Sequence, residues 1–261
     1  MISRRRLLGL GGGAAAAAAA SYAGFVEPGW LEVTRKPVRL PGLHRPLRLL
    51  HLSDLHYGFR IPLSLLHEGV TLGLAEKPDL ICLTGDYVTN NWFDHPLLLL
   101  DVFHRLSAAA PTFAVVGNHD VDPLGDILTK SGVRLLENSS AAFESLRIVG
   151  LGDLWAGRVD AAAAFAQCPS GVPRIVLAHN PESVDHFSAQ EWGLLLSGHT
   201  HGGQVVLPWF GPVLYGVRRQ RFVSGLYQWQ GRTVHVTRGV GSLWGVRFNC
   251  RPEVSLLELK P

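Results

Sequence analysis

Short apolar runs alternate with amphipathic stretches in the first half of the chain. The runs at residues 47–52, 80–83 and 113–116 are too short for helices and predict buried strands. Between them, apolar residues recur at helical spacing over residues 63–74 and 97–106, which predicts two helices. Strands that alternate with helices are typical of an α/β fold, in which the helices cover the faces of a sheet.

The second half of the chain is richer in predicted strands. Residues 133–150 have the pattern of antiparallel strands, and a short helix is expected near residues 160–165. Apolar runs at 175–178 and 194–196 predict two more buried strands, and an edge strand is expected near 31–34. Further alternating segments with turns between them lie at 205–207, 222–226, 233–237 and 254–257. We therefore expect an α/β protein built as a two-sheet β-sandwich flanked by helices.

The N-terminal residues 1–23 have the pattern of a targeting segment rather than of a fold element. Three arginines, Arg4 to Arg6, precede a weakly apolar Gly/Ala-rich stretch that contains no acidic residue. This pattern predicts recognition by the twin-arginine export machinery and delivery to the periplasm or cell envelope. The alternative is that the segment stays uncleaved and anchors the protein to the inner membrane. Residues 24–46 form a Pro- and Gly-rich lead-in segment, and residues 47–261 are expected to form a single domain.

The charge of the chain argues against one class of partner and for another. The formal net charge is +3, with 24 Lys and Arg against 21 Asp and Glu. Three of those arginines lie in residues 1–23, so the rest of the chain is neutral and nucleic acid is not an expected partner. Residues 192–252 contain seven arginines and no acidic residue, a bias that suits an anionic ligand.

Potential metal ligands follow each of five predicted strands. In open α/β sheets, ligands bind beyond the carboxyl ends of the strands, and all five segments have that position. Two of them repeat a ligand at i and i+2, which on extended backbone would place both side chains on one side. The candidate metal ligands are Asp54, His56, Asp86, Asn118, His179, His199 and His201.

This ligand set has a definite chemical character. Carboxylates, imidazoles and one amide oxygen suit Mn, Zn, Fe or Co, whereas Ca and Mg prefer all-oxygen shells. Seven ligands are too many for one tetrahedral ion. Two divalent metal ions that share a carboxylate are therefore the economical arrangement.

The ordered motifs resemble those of the calcineurin-like metallophosphoesterase superfamily, over about residues 47–258. The matching segments are DLH at 54–56, GD at 85–86, GNHD at 117–120, the single His179 and GHTH at 198–201. The resemblance implies the metallo-dependent phosphatase fold and a phosphoric ester hydrolase.

The resemblance also implies a role for each residue. One metal would be held by Asp54, His56 and His201, and the other by Asn118, His179 and His199, with Asp86 bridging both. A metal-bridging hydroxide would attack phosphorus in line, and the metals would stabilise the equatorial oxygens. His119 would be catalytic rather than a ligand, stabilising or protonating the leaving oxygen.

One position departs from the pattern of many relatives. They carry an acid three residues after the bridging aspartate, which helps to orient the catalytic histidine, whereas this chain has Thr89. Two asparagines then replace the Arg and Gly of phosphoprotein phosphatases, so a Ser/Thr protein phosphatase is disfavoured. The orientation of His119 must then come from another group, for which Asp120 and Asn180 are the candidates.

The tail has a finer resemblance, to a bacterial subgroup with exported or membrane-anchored members and others that act on UDP-2,3-diacylglucosamine in lipid A biosynthesis. The segments that carry it are GHTHGGQ at 198–204, FVSGLY at 222–227, TRGVG at 237–241 and RFNCRPE at 247–253. Arg218, Arg219 and Arg221 are candidate substrate-binding residues, next to an apolar stretch that includes Trp209 and Phe210. An ordinary apolar loop with a solvated basic turn is the alternative.

The leading functional prediction is a dinuclear metal-dependent phosphoesterase that cleaves phosphodiester or pyrophosphate bonds of a phosphorylated small molecule or a lipid, in the envelope or at a membrane surface. The first alternative is a UDP-2,3-diacylglucosamine pyrophosphatase of lipid A biosynthesis. That substrate is cytoplasmic, and a cleaved export signal would deny access to it. The second alternative is a non-catalytic binding module on the same fold.

Overall fold

The computed structural model describes residues 4–89, 95–120, 122–213 and 221–261. Two six-stranded sheets form its framework. In spatial order, the first sheet contains β1 (Glu32–Arg39), β14 (Glu253–Lys260), β2 (Leu47–Leu52), β3 (Leu80–Thr84), β4 (Thr112–Val115) and β5 (Arg134–Leu135). The second contains β12 (Gly225–Trp229), β13 (Arg232–Val236), β9 (Leu194–Ser197), β8 (Arg174–Leu177), β7 (Leu146–Gly150) and β6 (Ser139–Phe143). A small ribbon pairs β10 (Val206–Leu207) with β11 (Gly211–Pro212).

The helices differ in length and position. They are α1 (Arg4–Ser21), α2 (Leu63–Ala75), α3 (Leu99–Ala109), α4 (Leu124–Lys130) and α5 (Ala161–Phe165). Helices α2, α3 and α4 contribute buried residues to one apolar cluster with the outer face of the first sheet. Helix α5 packs in the same way on the outer face of the second sheet. The two-sheet sandwich flanked by helices is confirmed.

The strands are buried on both faces, which explains their continuous apolar sequences. Along β2, Leu49 belongs to the cluster between the two sheets, whereas its neighbour Leu50 belongs to the cluster beneath the helices. Strands β2, β3, β4 and β5 run parallel to one another, as do β7, β8, β9 and β13. Parallel strands bring their carboxyl ends to one edge of a sheet, where the sequence places its potential ligands.

Most predicted elements occur where the pattern places them, but two predictions are wrong. Residues 133–150 do not form one antiparallel unit, because β5 joins the first sheet parallel to β4 and only β6 and β7 pair antiparallel. The strand predicted at 222–226 begins at Gly225 instead. The backbone N–H groups of Val223 and Ser224 donate to the Tyr227 hydroxyl rather than to a neighbouring strand.

The chain between α1 and β1 is fastened to a loop near the C-terminus. The carbonyl oxygen of Ala23 accepts a hydrogen bond from the backbone N–H of Arg247 at 2.9 Å. The buried Glu27 carboxylate accepts from the backbone N–H groups of Asn249 and Cys250. The lead-in segment also supplies β1, which lies at the edge of the first sheet as predicted. Among the residues described, no helix combines the length and the apolar character needed to cross a membrane.

Candidate metal centre

The seven candidate ligands come from five loops, and each loop follows the carboxyl end of a strand. Asp54 and His56 follow β2, Asp86 follows β3 and Asn118 follows β4. His179 follows β8, and both histidines of the GHTH segment follow β9. Strands from both sheets therefore contribute to one site.

Asp54, His56 and His201 form the first buried cluster, and their potential ligand atoms all lie within 4.8 Å of one another. The Nε2 atoms of His56 and His201 are 3.1 Å apart, and His201 Nε2 lies 3.4 Å from Asp54 Oδ1. Nitrogen lone pairs that converge at this distance are expected around one ion, because tetrahedral bonds of about 2.0–2.1 Å separate two ligand atoms by about 3.3 Å.

Asp54, Asp86 and His179 form the second buried cluster. His179 Nε2 lies 3.2 Å from Asp86 Oδ2. His179 Nδ1 donates a hydrogen bond to the carbonyl oxygen of Thr84 at 2.8 Å, and Nε2 faces the carboxylate. Metal-ligating histidines usually have such a partner on the second ring nitrogen. Asp54 belongs to both clusters, whereas the family resemblance implies Asp86 as the bridge. Asp86 Oδ2 also lies 3.6 Å from His56 Nε2, so it too faces ligands of both groups.

The remaining two candidates lie at the edge of the second cluster. His199 Nδ1 is 3.1 Å from His179 Nε2, the same kind of convergence as in the first cluster. The Asn118 side-chain oxygen is buried and has no hydrogen-bond partner in the described part of the chain. A buried oxygen without a donor is costly, and a cation would satisfy it. The donor set of this chain therefore fits divalent metal ions.

The backbone at the site is not extended, as was predicted from the i, i+2 spacing of the ligands, but has positive φ. Asp54 and His56 have φ values of 50° and 46°, and His199 and His201 have 69° and 52°. Positive φ is uncommon for residues other than glycine and concentrates at functional sites. The residues at i and i+2 face one site because the chain turns left-handed at each of them. The extended geometry predicted for these pairs is wrong.

Glycines make this crowding possible at two points. A Cβ added at Gly198 would collide with the Asp54 carboxylate and with the Ser53 side chain. A Cβ added at Gly117 would collide with Asp86. The backbone N–H of His199 can therefore approach Asp54, donating to Oδ1 at 3.0 Å. Close approach of backbone to a ligand is a common reason for glycine at such positions.

Burial and neighbouring charges shift the pKa values of the site in opposite directions. Burial raises the pKa of Asp54 to about 6 and lowers that of His56 to about 3. Burial alone would raise the pKa of Asp86, but His179 and His56 hold it well below its usual range. Burial would lower the pKa of His179, yet the carboxylates of Asp86 and Asp54 raise it to about 10. The His179 proton thus offsets negative charge that a divalent ion would otherwise neutralise.

His119 lies beside this cluster without joining it. Its backbone N–H donates to Asp86 Oδ1 at 2.9 Å, and its ring packs edge to face on His56 with centroids 5.2 Å apart. Its Nδ1 is 3.1 Å from the carbonyl oxygen of Thr89. The backbone carbonyl of Thr89 therefore contacts the His119 ring, in place of the acidic side chain that many relatives have at this position.

Neither residue expected to orient His119 does so. The Asp120 carboxylate accepts hydrogen bonds from the backbone N–H groups of Asp86, Tyr87 and Gly117. It fixes the loops after β3 and β4 relative to each other. The Asn180 side chain caps the following 3₁₀ turn by accepting from the N–H of Glu182.

Arg247 is a residue of the site that sequence reasoning placed in the general basic tail. Its guanidinium is fully buried and donates to the backbone carbonyls of Arg238, Gly239, Gly241 and Cys250. Those bonds bind together the loops behind the first cluster, because the N–H of Gly241 in turn donates to the Asp54 carbonyl. The segments TRGVG and RFNCRPE were the only signal for this contact.

The predicted substrate arginines are described only in part. Arg218 and Arg219 lie outside the described residues. The Arg221 guanidinium pairs with the carboxylates of Glu182 and Asp185, at 2.6 Å from Asp185 Oδ2. Glu182 and Asp185, which lie outside the acid-free stretch, therefore neutralise the charge of Arg221.

A two-sheet sandwich with histidines and carboxylates gathered at its strand ends defines a metal-dependent phosphoesterase. Residues 47–203 match the calcineurin-like phosphoesterase family, and the chain belongs to that family. It is a phosphoester hydrolase. Membership of this family therefore does not support the alternative of a non-catalytic binding module.

Relatives of this chain include proteins with named activities. It is 40% identical to phosphodiesterase YaeI of Escherichia coli K12, over 99% of this chain and 100% of the relative. It is 28% identical to the UDP-2,3-diacylglucosamine pyrophosphatase LpxG of Chlamydia trachomatis, over 90% of this chain and 91% of the relative. A 5'-nucleotidase precursor of Thermus thermophilus superposes with a TM-score of 0.50 at 16% identity, covering 82% of this chain and 55% of that one, which shows the fold alone.

Proposed function

We propose that this hydrolase cleaves phosphodiester or pyrophosphate bonds of an envelope or lipid-linked substrate at a centre of two divalent metal ions. The observation that carries the proposal is the pair of ligand clusters that share Asp54. A shared carboxylate is the arrangement by which two ions lie close enough to act on one phosphate.

Each cluster would hold one ion. Asp54, His56 and His201 would hold the first. His179 of the second cluster, with Asn118 and His199 at its edge, would hold the other, and Asp86 would face both. Mn, Zn, Fe or Co suits this mixture of nitrogen and oxygen donors. When bound, such ions supply an activated water and neutralise charge on the phosphate oxygens.

His119 supplies the proton chemistry in this proposal. Its Nδ1–H donates to the Thr89 carbonyl, which fixes the ring and leaves Nε2 for exchange with substrate. A protonated ring donates from Nε2 to the leaving oxygen as the phosphorus–oxygen bond breaks. The backbone bond from His119 to Asp86 keeps this ring next to the metal ligands.

Exposed aromatic side chains around the centre support a lipid-linked substrate. Phe59 is 92% exposed and lies three residues after His56. Trp155 is 66% exposed, and its ring centroid is 4.3 Å from that of His199. Trp244 is 65% exposed, in the loop that Gly241 fastens to Asp54. Aromatic side chains of this kind sit well at a membrane–water interface. We call these three residues the aromatic rim.

Hydrolysis of matched soluble and lipid substrates tests this proposal. We expect Phe59→Ser with Trp244→Ser to weaken binding to lipid vesicles and to raise KM for a phosphodiester lipid in them. Hydrolysis of bis-p-nitrophenyl phosphate should be unchanged, because that substrate has no apolar chain. Leu226→Ser is the matched control, since it removes an exposed apolar side chain on β12, outside the rim. Equal loss on both substrates would assign the rim to structure, and no loss on either would remove the lipid from the proposal.

A UDP-2,3-diacylglucosamine pyrophosphatase is the second candidate, because LpxG relatives with that name align over nine tenths of the chain. The product distinguishes the two. Release of UMP from UDP-2,3-diacylglucosamine, at a rate well above that for simple phosphodiesters, would support this candidate. Slow hydrolysis of it beside rapid hydrolysis of a phosphodiester lipid would exclude it.

We propose export by the twin-arginine route to the periplasm or envelope, or anchoring to the inner membrane by the N-terminal segment. The basis is Arg4 to Arg6 followed by a weakly apolar stretch in residues 1–23. N-terminal sequencing of the protein from each cell fraction tests this, with Arg4→Lys and Arg5→Lys as the paired variant. Normal localisation of that variant would contradict the route.

A further inference from the structure

A basic cleft lies at the end of the sandwich away from the metal centre. Its volume is about 320 Å³, which is enough for a small ligand. Among the residues that line it are Arg39, Arg174, Glu191, Trp192 and Arg232. None of them belongs to the ligand clusters or to the aromatic rim.

Strand direction establishes the separation between the cleft and the metal centre. Arg174 is the first residue of β8 and Arg232 the first of β13, and Gly193 immediately precedes β9. The metal-ligand loops follow the opposite ends of β8 and β9. A strand of four residues spans about 13 Å, so a ligand in the cleft could not reach the metal centre.

The charged groups of the cleft leave an excess of positive charge. Three arginines line it against one acid, Glu191, which is itself exposed at the surface. Arg174 forms an ion pair with that acid, with its Nη1 atom 3.1 Å from Glu191 Oε2. The Arg39 side chain has no hydrogen bond or ion pair within the described ranges. The Arg232 guanidinium donates to the Ser188 carbonyl and stacks over Trp192 at 4.9 Å. This stacking holds the guanidinium in place before any ligand arrives.

Two residues that line the cleft carry buried hydrogen-bond donors. Arg174 and Trp192 are only 5% and 6% exposed. The Nε atom of Arg174 and the Nε1 atom of Trp192 are buried and have no hydrogen-bond partner in the part of the chain that the structure describes. Unpaired buried donors are rare and costly. Both belong to side chains that line the cleft.

We propose that this cleft is a second binding site, separate from the metal centre, for a small phosphomonoester-type anion. Two uncompensated guanidinium groups match the charge of a dianion, and their planar forks suit phosphate oxygens. The volume exceeds that of a bare phosphate group and leaves room for a small organic substituent. The proposal does not depend on which bond the metal centre cleaves.

Titration of the metal-loaded protein with phenylphosphonate tests the site, because this probe mimics a phosphomonoester and is not hydrolysed. Isothermal titration calorimetry should show binding that persists in Asp86→Ala, in which the metal centre is damaged. On that background, Arg39→Ser with Arg232→Ser should weaken the binding by about tenfold or more, as expected for lost bonds to a charged group. Glu191→Gln should strengthen it, because the variant removes the acid of the cleft and keeps a hydrogen-bond acceptor for Arg174.

Arg158→Ser is the matched control. Arg158 forms an exposed ion pair with Glu137 at 3.9 Å and does not line the cleft, so its loss removes a positive charge without changing the cleft. If the double variant unfolds, Arg39→Ser suffices, since Arg39 is at the surface. Unchanged affinity in both the arginine and the Glu191 variants would overturn the proposal. An equal loss in Arg158→Ser would also overturn it, because it would show a general charge effect. Equal affinity for phenylphosphonate and inorganic phosphate would support the anion site and contradict the part of the proposal that gives the ligand an organic substituent.

Discussion

The Nδ1 atom of His119 lies 3.1 Å from the carbonyl oxygen of Thr89. In many relatives this position carries an acidic side chain, and here a backbone oxygen makes the contact. A carbonyl orients the ring without adding a negative charge next to it.

His119→Ala should keep the bound metal and lose turnover, because the ring lies beside the ligand clusters without belonging to either. A general acid typically contributes about 10²–10⁴-fold, and the smaller factor is expected for p-nitrophenolate, which needs little protonation. Metal analysis together with kcat on an activated and an unactivated diester checks this. Loss of metal from the variant would show that His119 is a ligand. His44→Ala is the matched control, because it removes an exposed imidazole between β1 and β2.

Asp86→Ala should abolish hydrolysis and lower metal content at both positions. The Asp86 carboxylate lies 3.2 Å from His179 Nε2 and 3.6 Å from His56 Nε2, so its loss affects both clusters. Metal content by mass spectrometry and turnover of bis-p-nitrophenyl phosphate measure the effect. Turnover near that of the wild type, with unchanged metal content, would contradict the two-metal proposal.

Arg247→Lys should lower both the free energy of unfolding and the affinity for metal. Lysine keeps the positive charge, but its single ammonium group cannot span the carbonyls that Arg247 joins. Each hydrogen bond lost from a charged donor lowers the free energy of unfolding by about 1.5–3 kcal/mol. Urea denaturation and metal titration together check this. Loss of stability with unchanged metal affinity would separate Arg247 from the metal centre.

The stability of the fold should fall as acid protonates Glu253. Burial alone would raise the pKa of Glu253, but the charges of Lys36 and Arg238 bring it down to about 2, below its ordinary value of 4.5. A depressed pKa means that the stabilising contribution is complete above about pH 4.5 and is lost as the pH falls towards 2. Denaturation midpoints of wild type and Glu253→Gln should therefore differ most at pH 7 and converge in acid. A constant difference between them would contradict the assignment.

Sequence reasoning places the elements well where the local pattern is sufficient. The apolar run of β2 and the helical spacing of α2 match the observed strand at Leu47–Leu52 and helix at Leu63–Ala75. The candidate ligands were recognisable for a similar reason, since each follows a strand.

Contacts between distant segments were not recognisable in this way. The left-handed turn at His199 accompanies a hydrogen bond from its backbone N–H to Asp54, which lies far away in the sequence. The contact of His119 comes from a backbone oxygen, and every residue has one. Arg221 looks unpaired in an acid-free stretch, yet folding brings Glu182 and Asp185 to it.

The hydrogen bonds between the lead-in segment and the loop near the C-terminus limit how far the N-terminus can be shortened for recombinant production. Strand β1 covers the edge of β14, and Glu27 satisfies two backbone N–H groups of the loop that contains Arg247. Removal of everything before residue 47 would uncover a sheet edge, which promotes aggregation. A shortened protein that begins at or before Tyr22 keeps these contacts.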